Sequence, residues 1–383
     1  MKSRAAVLYG MDQPWVVEEI EVDEPKANEV LVNWKVSGMC HSDEHFVTGD
    51  MVPPKELLAM MGVDDFFPFI GGHEGAGVVV KCGPGVTTLQ PGDHVSASFV
   101  PSCGRCRYCS TGRQNLCNLG AGTLTGGMIT DGTHRHHVKD GRPVKLMAKL
   151  GTFSEYATVA EASLIKVEKD LPLDAVALVS CGVATGWGSA TNRADTQPGD
   201  TVVVVGIGGI GINAVQGARM AGAKRIIAID PVEFKREKAM EFGATHTAAS
   251  MTDAVALLQE VTWGTMANKV ILTMGVGSGA LMAEAMALAS KRGRVVVTNI
   301  HPAMEMGVTM NLLDVTLMEK QVVGSLFGSG NPRADIPKLA GLYREGQLDL
   351  DGLVTRTYSL EGVNDGYEAM RAGENIRGVL VYE

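Results

Sequence analysis

Residues 202–211 read VVVVGIGGIG, an apolar run that passes directly into a glycine motif. Gly206, Gly208 and Gly211 have the G-x-G-x-x-G spacing between a predicted strand and a predicted helix. The first glycine permits a tight turn, the second lets the backbone approach a pyrophosphate, and the third packs the helix on the strand. Because a helix N-terminus also favours negative charge, the stretch predicts a dinucleotide site. A turn that binds nothing is the alternative.

The next predicted strand ends in an acidic residue, Asp230, nineteen positions after Gly211. A carboxylate at this place can accept hydrogen bonds from the hydroxyls of an adenosine ribose. It also repels the 2′-phosphate that distinguishes NADP from NAD. The sequence therefore predicts NAD(H) as the cofactor.

Apolar strands alternate with helical stretches from residue 184 onward. We predict six strands, near residues 201–206, 225–230, 245–249, 269–275, 294–299 and 321–326. Strands separated by helices form a parallel, doubly wound α/β sheet, so residues 184–326 are predicted to be a Rossmann NAD-binding domain. Residues 1–183 consist mainly of short β-branched runs broken by Gly, Pro and Asp. Together with 327–383 they are assigned to a second, β-rich domain.

The composition excludes several classes of partner. The chain has 383 residues, 45% of them apolar and 20% charged, and a net charge of −9. Basic residues are interspersed among acidic ones, which argues against nucleic acid. No stretch reaches the roughly 18 uninterrupted apolar residues that are typical of a membrane span, and the N-terminus lacks the apolar run of a signal peptide. We expect a cytoplasmic protein without a membrane partner, in a compartment that keeps thiols reduced.

Four of the seven cysteines lie in the stretch SCGRCRYCSTGRQNLC, residues 102–117. The spacing Cys-x2-Cys-x2-Cys-x7-Cys can wrap four thiolates around one tetrahedral zinc, which leaves no open position for a substrate. Glycines at positions 104 and 112 allow the tight turns that such a loop needs. A structural zinc is therefore predicted at Cys103, Cys106, Cys109 and Cys117. Free thiols or an iron–sulfur cluster are the alternatives.

A second set of metal-binding residue types is dispersed along the chain. Cys40, His73 and Cys181 would give two thiolates and one imidazole, the three-ligand shell of a catalytic zinc that keeps a fourth position open. Their spacing cannot by itself bring them together, and a lone cysteine is often a small buried hydrophobe. We assign Cys82 to that class.

Seven motifs occur in the order found in one known family. They are CHSDEH (40–45), GGHEGAG (71–77), the four-cysteine loop, GTFSEYATV (151–159), CGVATGWGSA (181–190), VVVVGIGGIG (202–211) and ENIRGVLVY (374–382). On these motifs nearly the whole chain resembles the zinc-dependent medium-chain alcohol dehydrogenases. The resemblance implies that the β-rich domain is a GroES-like catalytic domain and that the chain binds two zinc ions.

The resemblance also implies a role for individual residues. Cys40, His73 and Cys181 would ligate the catalytic zinc, with Glu74 close to the metal and Asp43 orienting a ligand. Ser42 would hydrogen-bond the substrate oxygen, and His45 would be the base of a proton relay, for which an unperturbed pKa near 6.5 is suitable. An ordinary loop histidine is the alternative for His45. The residues implied to bind the cofactor, besides the glycines and Asp230, are His41, Thr185, Lys235 and Arg377.

Three features narrow the resemblance within the family. The connection at residues 131–156 resembles the liver-type and glutathione-dependent formaldehyde branches, and its His134, His136 and His137 are interpreted as a solvated loop rather than metal ligands. Ala121 stands where the glutathione-dependent branch has an arginine, which argues against a glutathione adduct as substrate. An insertion at residues 51–69 is expected to cap the substrate with an apolar element formed by Leu57, Leu58, Met60 and Met61, although a surface excursion is the alternative.

Four stretches together resemble the actinobacterial nicotinoprotein alcohol dehydrogenases, which are assayed with a nitrosoaniline dye. They are the N-terminal stretch, CHSDEHFVTGD (40–50), the insertion and IDPVEFKREKA (229–239). This implies oxidation of primary alcohols to aldehydes with NAD that stays bound, reoxidised by an external carrier such as the peptide-derived mycofactocin. An ordinary NAD-exchanging alcohol dehydrogenase or a thiol-adduct formaldehyde dehydrogenase is the alternative. A non-enzymatic zinc-stapled binding protein is more remote. We expect a homo-oligomer.

Overall fold

The computed structural model describes residues 1–60, 66–122 and 126–383. The chain divides into unit 1, which is Met1–Cys181 with Asn331–Glu383, and unit 2, which is Gly182–Gly330. The strands, in chain order, are β1 (Lys2–Leu8), β2 (Val16–Val22), β3 (Glu29–Gly38), β4 (Phe69–Ile70), β5 (Glu74–Cys82), β6 (His94–Ala97), β7 (His136–His137), β8 (Lys145–Leu146), β9 (Tyr156–Ala160), β10 (Leu164–Val167), β11 (Thr201–Val205), β12 (Arg225–Ile229), β13 (His246–Ala248), β14 (Ala267–Leu272), β15 (Ala289–Val297), β16 (Gln321–Gly324), β17 (Val354–Tyr358) and β18 (Arg377–Val381).

Eleven α-helices lie in the described part of the chain. They are α1 (His41–Val47), α2 (Lys55–Met60), α3 (Leu173–Leu178), α4 (Ala184–Gly188), α5 (Gly209–Met220), α6 (Glu233–Glu241), α7 (Met251–Val261), α8 (Met282–Leu288), α9 (Leu312–Leu317), α10 (Pro332–Arg344) and α11 (Val363–Arg371). Short 3-10 turns lie within the cysteine loop at Cys109–Thr111 and Gln114–Leu116, and a third follows it at Asn118–Gly122.

Unit 1 is built on two β-sheets. One has the order β7-β2-β1-β4-β8, and the other has the order β10-β6-β5-β3-β18-β17 with β9 also paired to β3. The central strand β3 is buried along nearly its whole length, as expected for a strand covered on both faces. Large side chains such as Trp34, Phe46 and Tyr367 fill the core beside these sheets. Because α1 leaves β3 and β5 starts beside it, the predicted catalytic residues of both segments lie near each other.

Unit 2 is a six-stranded sheet in the order β13-β12-β11-β14-β15-β16, and every pairing in it is parallel. The apolar run 202–205 forms its central strand and is almost completely buried. Gly206 has φ +89°, and a Cβ on Gly211 would lie 1.9 Å from the Gly206 carbonyl oxygen. The predicted doubly wound α/β sheet is confirmed. β15 begins five residues earlier than predicted, because Ala289 pairs with Ala267 before an irregularity in the register.

The helical stretch that carries Cys181 alternates between α and π turns. The π turns are Val179–Val183 and Ser189–Arg193, and π turns inside helices are frequent at functional sites. Between residues 173 and 193 this stretch is long and apolar enough to cross a bilayer, but 89% of its apolar window is buried inside the protein. Such burial is that of a core helix.

Within the insertion, helix α2 packs on the core of unit 1 through one side chain, Leu58. Leu58 of α2 is 6% exposed and belongs to the same core as Phe46 and Phe66, whose rings stack with centroids 5.3 Å apart. Leu57 and Met60 are 41% and 85% exposed, and Met61 lies outside the described residues. That the insertion covers the substrate stays a prediction.

Candidate active site

Four metal-binding side chains from three separate segments of unit 1 meet at one point. The ligand atoms of Cys40, His73, Glu74 and Cys181 all lie within 4.8 Å of one another, and all four residues are buried. Cys40 immediately precedes α1, His73 and Glu74 stand at the start of β5, and Cys181 comes from the π turn after α3. The three dispersed residues that the sequence could not bring together are thus assembled by the fold.

The donor set fits zinc. Two thiol sulfurs and one imidazole nitrogen are the ligands that zinc prefers, and three protein ligands leave a position for substrate. The hydrogen bond with Cys181 and the neighbouring His73 hold the pKa of the Cys40 thiol well below its usual range. Burial alone would lower the pKa of His73, but the charges of Asp43 and Cys40 outweigh burial and raise it to about 10. A cluster that concentrates negative charge among buried sulfurs is suited to a dication.

Asp43 lies directly behind His73. Its Oδ2 is 3.1 Å from His73 Nδ1, and its Oδ1 accepts a 2.6 Å hydrogen bond from the Gly72 amide. A carboxylate at one ring nitrogen favours the proton there and leaves Nε2 as the metal ligand. This arrangement is the one expected if Asp43 orients a zinc ligand.

Glu74 forms a fully buried ion pair with Arg377, the first residue of β18. Gly38 makes room for the pair, because a Cβ there would lie 2.3 Å from the Glu74 carboxylate and 3.1 Å from Arg377 Nη2. The sequence did not indicate this partner, which is 303 positions away from Glu74. The contact of Arg377 with a pyrophosphate stays a prediction.

The two predicted relay residues share helix α1. Cys40 Sγ is 3.6 Å from Ser42 Oγ, so the hydroxyl lies beside one of the candidate metal-binding sulfurs. His45 is 2% exposed, and its Nδ1 is 3.2 Å from Asp50 Oδ2. Thr48 donates a 2.6 Å hydrogen bond to the same Asp50 oxygen. Asp50 is therefore a functional candidate that sequence analysis missed, although its position five residues after His45 was a usable signal.

The four clustered cysteines form a second metal-binding group in unit 1, and their sulfur atoms also lie within 4.8 Å of one another. Backbone amides donate to these sulfurs, with Cys103 N to Cys117 Sγ at 3.4 Å and Cys106 N to Cys103 Sγ at 3.3 Å. Hydrogen bonds from the amides of Asn118 and Cys109 lower the pKa of Cys106 to about 6. Burial instead raises the pKa of Cys109 to about 12 and also raises that of Cys117, so the amide hydrogen bonds favour the thiolate at Cys106 in particular. Four sulfurs at these distances fit a closed zinc site.

Among the predicted dinucleotide residues, the glycine motif and Asp230 lie at the carboxyl ends of strands in unit 2. Asp230, directly after β12, accepts hydrogen bonds from the amides of Ile207 at 2.8 Å and Val232 at 2.9 Å. It therefore braces the glycine motif as well as standing where a ribose is expected. Lys235 is half-buried on α6, and Thr185 is buried on α4. His41, in unit 1, is exposed, with its ring centroid 6.4 Å from that of His45.

The histidines of the long connection require a correction. His136 is not solvated: it is 1% exposed, and its Nε2 accepts a 3.1 Å hydrogen bond from the Thr158 amide. Its neighbour Arg135 is also buried and pairs through two nitrogens with Glu29, each at 2.8 Å. Burial, together with the nearby His137, lowers the pKa of His136 to about 3. This histidine has a structural role, because it caps a backbone amide.

The buried His136 predicts a specific loss of stability in acid. The folded-state pKa of about 3 lies below the unfolded value near 6.5, so the unfolded state binds more protons between these limits. Stability is lost as the pH falls below 6.5, by about 2 kcal/mol at pH 5. The free energy of unfolding is measured with urea at pH 7 and at pH 5. Its decrease between these two pH values should be about 2 kcal/mol smaller in His136→Gln than in the unaltered protein. His246→Gln, at a half-buried histidine of unit 2, is the control, and an equal change in both variants would contradict the assignment.

Comparison with known proteins covers both units. Residues 26–169 match the alcohol dehydrogenase GroES-like domain, and residues 209–345 match the zinc-binding dehydrogenase family. The NDMA-dependent alcohol dehydrogenase of Amycolatopsis methanolica is 50% identical and alcohol dehydrogenase B of Mycobacterium tuberculosis 47%, each over 100% of this chain and 99% of the relative. Benzyl alcohol dehydrogenase from Acinetobacter calcoaceticus superimposes with a TM-score of 0.89 at 30% identity, over 100% of both chains.

These matches confirm the resemblance that the motifs indicated. The predicted zinc ions agree with the zinc-binding dehydrogenase match and with the two donor clusters. The predicted activity agrees with the names of the relatives at 47–50% identity. The chain belongs to the zinc-dependent medium-chain alcohol dehydrogenase family.

Proposed function

We propose that the protein is a nicotinoprotein alcohol dehydrogenase of the cytoplasm. It oxidises primary alcohols to aldehydes with NAD that remains bound through the cycle, and an external redox carrier then reoxidises the cofactor. The observation that carries the proposal is the buried cluster of Cys40, His73 and Cys181, which has the donor set of a catalytic zinc. The NDMA-dependent relative, 50% identical over the full chain, supports the bound-cofactor subtype. In this proposal unit 1 is the catalytic domain and unit 2 the NAD-binding domain.

The proposed reaction assigns each residue of the site one task. When bound, zinc polarises the alcohol oxygen and NAD accepts the hydride. The Ser42 hydroxyl, held beside Cys40 Sγ, accepts the alcohol proton and passes it on towards His45. Asp50 holds Nδ1 of His45, so Nε2 is the nitrogen that receives the proton. Asp43 fixes His73, and Arg377 neutralises the Glu74 carboxylate.

A single spectrum tests the bound-cofactor subtype. The purified protein is desalted, and its absorbance is recorded before and after addition of a primary alcohol without added nucleotide. We expect a reduced-nicotinamide band to appear and then to disappear when a nitrosoaniline acceptor is added. A protein that needs added NAD for any band would instead be an NAD-exchanging alcohol dehydrogenase.

Asp230 is expected to decide between NAD and NADP. Asp230→Ser removes a carboxylate that repels a 2′-phosphate, while Arg236 remains at the same strand end, where Nη1 donates to the Asp230 carbonyl at 2.7 Å. NAD should bind about tenfold more weakly and NADP more tightly than in the unaltered protein. Titration of both nucleotides measures the ratio. Glu237→Ser, an exposed acid on the same α6, is the control, and an equal gain of NADP there would contradict the role of Asp230.

We further propose a homo-oligomer formed through one face of unit 2. Large apolar side chains that are 58–89% exposed cluster in sequence around α9; they are Met304, Met306, Val308, Leu312, Leu313 and Leu317. The strand β16 that follows stands at the edge of the sheet, where its outer side has no neighbouring strand in the described chain. An apolar surface beside an open edge favours pairing with a second copy. Light scattering of the purified protein measures the subunit number.

A further inference from the structure

Two side chains just after β15 carry buried polar atoms that have no hydrogen-bond partner among the described residues. Asn299 is 8% exposed, and both its Nδ2 and its Oδ1 are without a partner. Nε2 of His301 is likewise buried and unpartnered. Buried polar groups are almost always hydrogen-bonded, because leaving them unpaired costs free energy. Three such atoms within three residues therefore indicate a ligand.

The two side chains converge on one point beside Gly277. A Cβ on Gly277 would lie 1.9 Å from Asn299 Nδ2 and 2.6 Å from His301 Nε2. The loops after β14 and β15 are held together here, since the Gly277 amide donates to the Ile300 carbonyl at 2.7 Å. The three polar atoms thus belong to one small site, and only glycine leaves room for it.

The hydrogen-bond donors and acceptors of this site are complementary to a primary carboxamide. His301 Nδ1 is 3.3 Å from Glu305 Oε2, and a carboxylate at that nitrogen keeps the proton on Nδ1 and leaves Nε2 as an acceptor. Asn299 adds one amide donor and one amide acceptor. A primary carboxamide offers one carbonyl and two N–H donors, which match these three atoms.

The order of the strands places the site at one end of a dinucleotide. Asp230 follows β12, the glycine motif follows β11, and Asn299 follows β15, in the sheet order β12-β11-β14-β15. Dinucleotides lie across the carboxyl ends of such strands. If the adenosine ribose lies at Asp230 and the pyrophosphate at the motif, the other end extends towards β15, three strand spacings or about 14 Å from β12.

The same neighbourhood contains the residue expected to pack against the nicotinamide. Ser189 Oγ is 3.0 Å from Thr298 Oγ1 and also donates to the Thr185 carbonyl at 2.7 Å. The turn of α4 that carries Thr185 therefore lies next to the end of β15. Thr185 is itself 6% exposed, with its hydroxyl unpartnered in the described chain.

We propose that Asn299 and His301 bind the carboxamide of the nicotinamide ring and that this clamp slows the release of NAD(H). Asn299 Oδ1 and His301 Nε2 accept from the carboxamide nitrogen, and Asn299 Nδ2 donates to its carbonyl oxygen. The inference rests on the proposed function, because it gives a side-chain basis for a cofactor that stays bound. It concerns release of the nicotinamide half only, so its test is separate from that of turnover.

Release rates of two nucleotides test the clamp on the full-length protein. NADH release is followed by fluorescence after excess ADP-ribose, which lacks the nicotinamide, is added to displace it. ADP-ribose release is followed in the reverse experiment, in which excess NADH displaces bound ADP-ribose. In Asn299→Leu we expect NADH release to be about 10- to 100-fold faster, with ADP-ribose release unchanged within about twofold. His301→Leu should act in the same direction. Gly277→Ala should do so too, because its Cβ displaces both side chains.

A matched control lies at the amino-terminal ends of the strands of the same sheet. Asn268 caps the start of β11, where its Oδ1 accepts a 2.9 Å hydrogen bond from the Thr201 amide. Asn268→Leu should lower thermal stability but leave both release rates unchanged. Equal acceleration of NADH and ADP-ribose in Asn299→Leu and His301→Leu, or no acceleration, would overturn the clamp. An unaltered protein that loses nucleotide on desalting would refute the nicotinoprotein proposal, while the NADH to ADP-ribose comparison would still decide the carboxamide site.

Discussion

Cys181→Ser is expected to lose at least about a thousandfold in turnover while the protein remains folded. The Cys181 sulfur lies within 4.8 Å of the ligand atoms of Cys40 and His73, and these three side chains are the donor set of a catalytic zinc. A serine hydroxyl is a poor replacement for a thiolate, so the ion should be lost or loosely held. Because zinc contributes several kcal/mol of charge stabilisation in such reactions, its loss lowers the rate by this order.

Metal analysis separates this effect from unfolding. The unaltered protein should contain two zinc ions per chain and Cys181→Ser one, with unchanged far-ultraviolet circular dichroism. Cys82→Ser is the matched control, since Cys82 is half-buried outside both clusters and its thiol donates to the Leu89 carbonyl at 3.6 Å. Two zinc ions and normal turnover in Cys181→Ser would show that the cluster is not the catalytic site.

Local sequence patterns were sufficient to predict the fold of unit 2. The run 202–205 is apolar at every position, which is typical of a strand buried on both faces, and the spacing of the glycines that follow is typical of a tight turn into a helix. The metal-binding cysteine loop could also be predicted from the sequence, because its four cysteines are close together in the chain. Gly104 and Gly112, expected to form tight turns, have φ values of +75° and +79°.

Contacts between distant segments could not be predicted in the same way. The pairs Glu74–Arg377 and Glu29–Arg135 join residues 303 and 106 positions apart, and no periodicity in the sequence relates such partners. His136 was interpreted as solvated because its neighbours are polar, yet Arg135 and His136 are both buried. In each case a charge or a polar atom is buried because a partner from another segment satisfies it. The catalytic cluster itself required the family resemblance, since spacing did not connect Cys40 with Cys181.

Cys106→Ser should produce the opposite pattern, with a large loss of stability and little change in the chemistry of the molecules that remain folded. The four sulfurs form a closed shell with no position for substrate, so this zinc has a structural role. Structural zinc contributes about 10–16 kcal/mol to the folding of small peptides, and removal of one ligand should cost a few kcal/mol of that.

Part of the loop is only weakly packed. Cys106 itself is only half-buried, and Gly104 and Gly112 have no heavy atom within 4 Å of the Cβ position. Without the metal, the backbone of residues 103–117 would lose the order that the amide-to-sulfur hydrogen bonds maintain. Denaturant unfolding should show a lower midpoint for Cys106→Ser than for Cys82→Ser, and metal analysis one zinc per chain. Turnover per folded molecule should stay within about threefold of the unaltered protein, because the catalytic cluster keeps its own ligands. Unchanged stability after loss of this zinc would mean that the zinc does not stabilise the fold. Loss of turnover without loss of stability would show that the chemistry takes place at this cluster and not at Cys40, His73 and Cys181.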